Sequence, residues 1–469
     1  MKKEFLFTVF TLFIFIISII CGPGCANIIP PSGGPRDSIP PVLVSASPKD
    51  STVNFKSKSI TLTFNEFIDL KEVQNNLLFT PIFENVPVIE ARLRTLTIKI
   101  RDTLEPNTTY NFNFGQAIQD VNEGNPVKNF VYTFSTGPVL DSLEIRGKVI
   151  LAETGKIDST LIVVLHKSMD DSAIVKQRPR YVARLDSAGN FRFRSLPKDT
   201  FAIYAIGDAG LSRRYTSPTQ AFAFANAPVV AGADSLFTLY AYKEEAEEEK
   251  KKTPAATKGG GAAEKRLRFT SNLESNQQDL LKNLTLTFER PLRSFDSTKM
   301  RLTTDSTFTP VAQYRLGLDS TQKILTLQTQ WKEATEYNLV IQKDFAEDTL
   351  GRKLLKDDTL SFTTRKRSDY GNLRIRIRNV DTASNPVLQF IQNDKVVFSA
   401  SVKSGVFTQA LFPPGEYELR MLSDTNNNSK WDPGQFFGPK KKQPEIARPI
   451  QKKLTVKPNW DNELEITAP

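Results

Sequence analysis

Short runs in which apolar and polar side chains alternate recur along the chain: Ile60-Thr61-Leu62-Thr63-Phe64, Leu96-Thr97-Ile98-Lys99-Ile100, Tyr110-Asn111-Phe112-Asn113-Phe114 and Phe130-Val131-Tyr132-Thr133-Phe134. Period-two alternation rich in β-branched and aromatic residues predicts strands with one face buried. Clusters such as Glu105-Pro106-Asn107 and Asn122-Glu123-Gly124-Asn125-Pro126 separate the runs and read as turns. Several short strands at this spacing predict a sandwich of two sheets. Helical periodicity is nearly absent.

The set then repeats. Leu284-Thr285-Leu286-Thr287-Phe288, Ile324-Leu325-Thr326-Leu327, Glu336-Tyr337-Asn338-Leu339-Val340 and Leu360-Ser361-Phe362-Thr363-Thr364 follow in the same order. The shift between copies is far too long for a solenoid repeat, so whole domains are duplicated. Behind each copy lies a second type of segment, opening at Leu143-Glu144-Ile145-Arg146-Gly147-Lys148-Val149 and again at Leu373-Arg374-Ile375-Arg376-Ile377. Both continue to a Pro-containing turn and a strand, Leu196-Pro197 to Ile206 and Phe412-Pro413-Pro414-Gly415 to Leu422, followed by an Asp-led loop. The expected fold class is therefore all-β, with tandem β-sandwich domains in a duplicated two-domain unit.

Between the units, Lys243 to Arg266 carries Glu and Lys blocks and then Gly, Ala and Pro. Such a stretch cannot bury enough apolar surface to order itself. As a flexible coil it spans on the order of 25 Å, which predicts halves that reorient.

The first residues differ from all the rest. Met1, Lys2 and Lys3 precede an apolar run from Phe5 to Ile20, and Cys21-Gly22-Pro23-Gly24-Cys25 follows. A basic start, an apolar stretch and small residues make an export signal. The run is short for a permanent span, which needs about 20 apolar residues, so a single-span anchor is the alternative. The two cysteines are the only ones in the chain, and with Gly-Pro-Gly between them they make a poor structural disulfide. The stretch from Ala26 to Pro41 is too rich in Pro and Gly for a helix or central strand and reads as a tether.

Composition adds bounds. A length of 469 residues suggests about three domains, or more if they are small sandwiches. With no cysteine beyond the signal, the cores alone must stabilise them, and 32 Phe suit sandwich interiors. The net charge of +10 permits contact with anionic lipid or glycan, but a solvated basic surface is the plainer reading and nothing in it demands nucleic acid.

At this point the residues resemble known families. Gly24-Cys25 resembles a lipobox, in which a small residue precedes the cysteine that is lipidated and becomes the mature N-terminus; Cys25 fits this better than Cys21. The first-type segments resemble the bacterial Ig-like domain, through Phe64-Asn65-Glu66 and Phe288-Glu289-Arg290-Pro291 and through the Asp-then-Gly turns Asp120 to Gly124 and Asp348-Thr349-Leu350-Gly351. The first of the second type resembles a transthyretin-like, carboxypeptidase-regulatory sandwich, through Gly147-Lys148-Val149, Asp186 to Phe193 and Leu196-Pro197; the last is assigned from the repeat. The whole resembles the Ig-like-domain lipoproteins common in Bacteroidetes. That resemblance implies an outer-membrane lipoprotein without enzyme activity, and its periplasmic leaflet, since the first acid after Cys25 is Asp37. The expected division is a signal peptide over 1–24, a tether over 25–40, an Ig-like domain over 41–138, a transthyretin-like sandwich over 142–242, the linker over 243–266, a second Ig-like domain over 267–366 and a second transthyretin-like sandwich over 370–469.

Candidate chemistry is sparse. Asp424, Asn426, Asn428 and Asp432 stand at the first, third, fifth and ninth positions of a calcium-loop spacing, without the Gly at six or the Glu at twelve, where Gln435 stands. Calcium bound there is expected to be weak. The related loop from Asp208 to Thr216 keeps Asp, Gly, Ser and Thr at these places, and in both a packed turn is the plainer reading. His166, the one histidine, sits in an apolar strand, where a structural role is expected. One histidine and no free thiol leave Cys-His, zinc and Ser-His-Asp chemistry without support. The leading expectation is a structural or binding lipoprotein with an envelope protein or glycan as partner. The alternative is a carbohydrate-active or envelope-processing enzyme using a cryptic carboxylate pair. An exposed aromatic platform at Trp331, Trp431 or Trp460 would favour glycan. The basic tail from Lys440 to Lys453 lacks interleaved aromatics and argues against nucleic acid.

Overall fold

The computed structural model describes residues 37–208, 212–233, 236–245 and 266–469. The expected export signal, Cys25 and nearly all of the charged linker lie outside these residues. The chain divides into two compact units, one ending at Asp141 and one running from Ser142 to Pro469.

In the first unit the strand Ser59–Phe64 lies between Leu43–Ser47 and Thr95–Lys99, with Val88–Arg92 completing the sheet. Thr109–Gly115 lies between Leu78–Thr80 and Phe130–Ser135 in a second sheet, and Ile68–Leu70 pairs with Ile118–Asp120. Antiparallel register sets Ile60 opposite Ile98 and Leu62 opposite Leu96. Alternation then sends these four, with Phe64, Phe112, Phe114 and Phe134, into one core. The Asp-then-Gly turn has a physical basis here: the carboxylate of Asp120 is buried and accepts backbone N–H bonds from Glu123, Gly124 and Asn125 at 2.6, 2.9 and 2.8 Å. Burial pushes the Asp120 carboxyl up, but these bonds outweigh it and hold it below its ordinary value.

The second unit contains three sandwich bodies. One repeats the order just described, with a short strand added at each end of its second sheet: Phe269–Ser271, Leu284–Phe288, Ile324–Gln328 and Arg315–Leu318 form the first sheet. Met300–Thr304, Glu336–Ile341 and Asp358–Thr364 belong to the other, and Leu292–Phe295 pairs with Ala346–Asp348. Asp348 is buried like Asp120 and accepts from the N–H groups of Leu350 and Arg352.

The other two bodies share a second topology. In the earlier one, Leu143–Leu151 runs antiparallel to Asn190–Leu196 and parallel to Phe237–Ala241. Its second sheet holds Tyr181–Arg184, Leu161–His166, Thr200–Gly207 and Phe222–Phe224 in that order. In the later one, Gly371–Arg378 has Val406–Phe412 antiparallel and Asp461–Thr467 parallel beside it. Its second sheet runs Lys395–Ser401, Pro386–Gln392, Gly415–Ser423, Ile446–Val456. Duplication is thus written in the topology of both domain types.

The central strands of the earlier sandwich's second sheet depart from simple alternation. Leu161–His166 and Thr200–Gly207 are apolar almost throughout and buried on both faces. Leu161, Val163 and Leu165 enter the core between the sheets. On the opposite face, Tyr204, Phe222 and Phe224 are also buried. Tyr242 and Tyr215 pack there, and so does Phe436 of the last sandwich, whose ring centre lies 5.5, 5.1 and 5.0 Å from those of Tyr204, Phe222 and Phe224.

This contact corrects one expectation. The linker predicts halves that turn independently, whereas the first and last sandwiches of the second unit are docked. The N–H of Ala447 donates to the carbonyl of Ala152 at 2.8 Å, and the Gln443 amide donates to the Phe224 carbonyl and to Asn226 at 3.1 and 2.7 Å. Two glycines permit the approach. A Cβ on Gly434 would stand 2.6 Å from the Tyr242 ring, and one on Gly155, at φ +67°, 2.2 Å from Pro449. The linker fixes only how far apart two attachment points can lie; buried aromatic area decides whether they separate.

Candidate functional site

The loop that leaves the strand Gly415–Ser423 carries all four candidate calcium ligands, and the chain returns at Ile446–Val456. Asp424 is 1% exposed. Its carboxylate accepts from the N–H of Asn426, Asn428 and Ser429 at 3.2, 3.3 and 2.7 Å, so it caps its own loop as an Asx turn does. The amide nitrogens of Asn426 and Asn428 both donate to the same Asp432 oxygen. The four side chains picked out by spacing are therefore brought together, each within hydrogen-bond reach of another or of the same backbone.

Glu445 completes the loop, and spacing did not point to it. It is 2% exposed, and one oxygen accepts from both the N–H and the hydroxyl of Thr425 at 2.7 and 2.6 Å. The other accepts from the N–H of Asp432 at 3.1 Å. The indole N–H of Trp431 donates to the Glu445 carbonyl at 2.7 Å, which ties the ring to Val387, Leu422 and Ala447. The available signal was an acid in an otherwise apolar strand entry, Pro444-Glu445-Ile446-Ala447. Among the described residues, no group of three or more His, Cys, Asp or Glu side chains is placed to hold a metal ion.

The hairpin tip beyond this loop carries the docking residues. Phe436 and Phe437 contact each other edge to face at 4.8 Å, and Lys441 lies 4.6 Å over the Phe436 ring and also reaches Asp171 at 2.5 Å. The loop and the interdomain contact are thus one continuous segment. In the earlier sandwich the related loop keeps Asp208, which accepts from the N–H of Arg213 at 2.8 Å; Ala209, Gly210 and Leu211 lie outside the described residues.

His166 lies at the end of its strand, buried, with its Nε2 lacking a hydrogen-bond partner. Burial pushes its pKa down to about 4, so it is neutral near neutral pH. The Glu66 carboxyl is held above its ordinary value. Burial is the main cause, followed by the charges of Asp120, Asp37 and Glu123. Its neighbour Asp120 is already committed to three turn N–H groups. Of the tryptophans, Trp331 donates to the Lys282 carbonyl at 3.0 Å and packs on Tyr337 and Phe362. Trp460 is exposed, with Lys457 5.0 Å over its ring. No shared platform joins the three.

The fold defines a class first: an all-β protein of tandem sandwich domains in which each of two domain types occurs twice. The model of the bacterial Ig-like domain matches residues 37–136 and 266–364. The chain is similar to that domain over these two stretches. Among solved structures it is similar to the major pilin subunit BcpA of Bacillus cereus, at 8% identity and a TM-score of 0.17, covering 69% of this chain and 99% of that one. It is similar to the N-terminal part of the bacterial S-layer protein SbsC at 16% identity and a TM-score of 0.16, covering 41% of this chain and 44% of that one. For the Bacillus anthracis TIE protein the figures are 10% and 0.17, with 93% and 75% covered. No curated protein matches the chain in sequence.

Proposed function

We propose that this chain is a lipid-anchored envelope protein of structural or binding function, held to the outer membrane on its periplasmic side through Cys25 and presenting its sandwiches to a protein or glycan partner. The observation that carries the reading is the pair of bacterial Ig-like domains within a duplicated, all-β chain, placed behind an export signal. The buried, unpartnered state of the one histidine supports a non-catalytic role. The transthyretin-like character of the other two bodies belongs to the same proposal and is supported by their shared strand order. Crosslinking in intact cells, followed by identification of what co-purifies, tests it: the reading expects an envelope protein or glycan, and recovery of none would count against it.

We propose in addition that the Asp424 loop takes calcium weakly, with Kd about 10⁻⁴ to 10⁻³ M, as extracellular modules do. Asp424 and Asp432 would supply the charge and the Asn426 and Asn428 carbonyls the remaining oxygens once those amides turn over. Calcium at tenfold above its Kd would stabilise the last sandwich by about 1.4 kcal/mol. An unchanged melting temperature at millimolar calcium would sink the idea.

A further inference from the structure

The first unit and the body that repeats its order finish one tip differently. At that tip of the first unit the turn over residues 65–68 gathers three other segments. The N–H of Asn65 donates to the Val42 carbonyl at 3.0 Å, that of Ile68 to the Leu93 carbonyl at 2.9 Å and that of Val121 to the Phe67 carbonyl at 3.2 Å. Val42, Phe67, Leu93 and Val121 are 56%, 48%, 67% and 56% exposed. In the repeat the same bonds run from Glu289 to Arg268, from Leu292 to Gln322 and from Thr349 to Pro291. Backbone pairing therefore sets Arg268, Pro291, Gln322 and Thr349 where the first unit has its four apolar side chains, and Leu350 and Leu355 are exposed in the loop that follows Thr349. Because Arg, Gln and Thr serve at three of the four places, the shared fold does not call for apolar side chains there.

Exposed apolar side chains gathered in one place mark a surface that meets a protein or a membrane. The course of the chain decides between the two. The side-chain amide of Asn125 donates to the carbonyls of Asp37 and Ile39 at 3.1 and 3.5 Å, so the chain enters the first unit at this tip, and Ile39 is itself 63% exposed. The strand on which it leaves, Phe130–Ser135, begins beside Phe64, with ring centres 6.1 Å apart. It ends at the opposite tip, where the N–H of Ser135 donates to the Thr52 carbonyl at 2.9 Å. From Cys25 to Asp37 the chain reaches no more than about 40 Å. A lipid on Cys25 therefore holds the apolar tip, rather than the departing one, close to the bilayer.

We propose that this tip rests on the bilayer that holds Cys25, with Val42, Phe67, Leu93 and Val121 in its headgroup boundary. Apolar groups at such a surface sink about 5–10 Å into it. Side chains at the ends of turns reach that depth without carrying a sheet edge into the hydrocarbon. Charge selects the lipid. The charges of Asp37 and Glu123 act on Glu66, and Arg94 lies 5.3 Å over the Phe67 ring. More acid than base at the tip opposes anionic headgroups, so the surface that suits it is zwitterionic lipid, although the whole chain carries a net charge of +10. This inference deepens the lipid-anchor reading and rests on it for the tip's place at the membrane, but insertion of the tip is a property of the purified chain.

The full mature chain is coupled through the Cys25 thiol to a maleimide lipid in phosphatidylcholine vesicles, with or without bromine on the acyl chains, and tryptophan emission is read. Phe67→Trp should add emission that brominated lipid quenches. Val53→Trp, at the opposite tip and 38% exposed before substitution, should add emission that it leaves intact. Combining Phe67→Trp with Leu93→Asp should remove the quenching with the circular dichroism spectrum retained, and if that chain folds poorly, Val121→Asp should do the same. Mixing in phosphatidylglycerol should not strengthen it. Equal quenching at the two tips, quenching that requires phosphatidylglycerol, or indifference to both further substitutions overturns the proposal. Sedimentation showing that the soluble Cys25→Ser chain dimerises, with the dimer lost in Leu93→Asp, overturns it in favour of a second copy. A crosslink from residue 67 to an envelope protein in cells, with no quenching in vesicles, overturns it in favour of a protein partner. Because the lipid is attached chemically, the expected quenching together with an unlipidated Cys25 in cells would count against the anchor reading alone.

Discussion

Phe436→Ala tests the docking of the first and last sandwiches of the second unit. The ring is 2% exposed and three of its aromatic neighbours, Tyr204, Phe222 and Phe224, belong to the other sandwich. Truncating a buried Phe costs about 3–5 kcal/mol, and each aromatic pair contributes about 0.5–1.5 kcal/mol beyond buried area. Most of those contacts cross the interface, so the loss falls on the docked-to-open equilibrium before it falls on either core. Taking about 3 kcal/mol, at 1.4 kcal/mol per tenfold, the open population rises by more than about a hundredfold. Hydrogen exchange read by mass spectrometry should show that rise on peptides covering Thr200–Gly207 and Phe222–Phe224. Peptides covering Leu284–Phe288, in a different body, should be unchanged. A change below about threefold on the aromatic strands would refute the claim that this ring holds the interface.

Three further outcomes are expected. Gly434→Val should open the same interface, because even a Cβ there meets the Tyr242 ring at 2.6 Å; an exchange pattern like the unsubstituted chain's would contradict this. Acid should destabilise the earlier sandwich through His166. The unfolded chain protonates this residue near pH 6.5 while burial holds the folded group at about 4, so stability is full above pH 6.5 and falls as pH drops towards 4. Each tenfold loss of proton affinity on folding is worth about 1.36 kcal/mol, so the full loss is about 3 kcal/mol, and urea titrations at pH 7 and pH 4.5 should show that His166→Leu flattens the slope. Glu445→Ala should cost about 1–3 kcal/mol, since it removes the buried carboxylate that accepts from the Thr425 and Asp432 N–H groups; thermal melting checks it, and an unmoved transition would show that the loop holds itself together.

Much of the fold is legible because alternation reports burial directly: Ile60, Leu62 and Phe64 are buried, whereas Thr61 and Thr63 between them are only partly so. Repetition of that pattern gives the duplication, and Asp120 and Asp348 justify the Asp-then-Gly signature as a carboxylate filling a turn. The docking was also encoded, in a different signal. Leu161 to Leu165 and Phe201 to Ile206 do not alternate, and a continuous apolar run means a strand covered on both faces. What covers it is not readable locally, since Phe436 lies more than two hundred positions downstream in a Gly-rich, Lys-rich stretch that resembles a loop. At the Asp424 loop, spacing located the four polar side chains because their contacts span few residues. Glu445 escaped because it reaches Thr425 across a hairpin, and hydrogen bonds between distant positions leave no period.

Mass spectrometry of the mature N-terminus bears most directly on the central claim, that these domains are held to the membrane by lipid. Protein extracted from the outer-membrane fraction should begin at Cys25 with a diacylglyceryl mass on that residue, and Cys25→Ser should release the chain from the membrane. A mature chain beginning at any other residue without lipid, or a Cys25→Ser chain that stays in the membrane fraction, would contradict it.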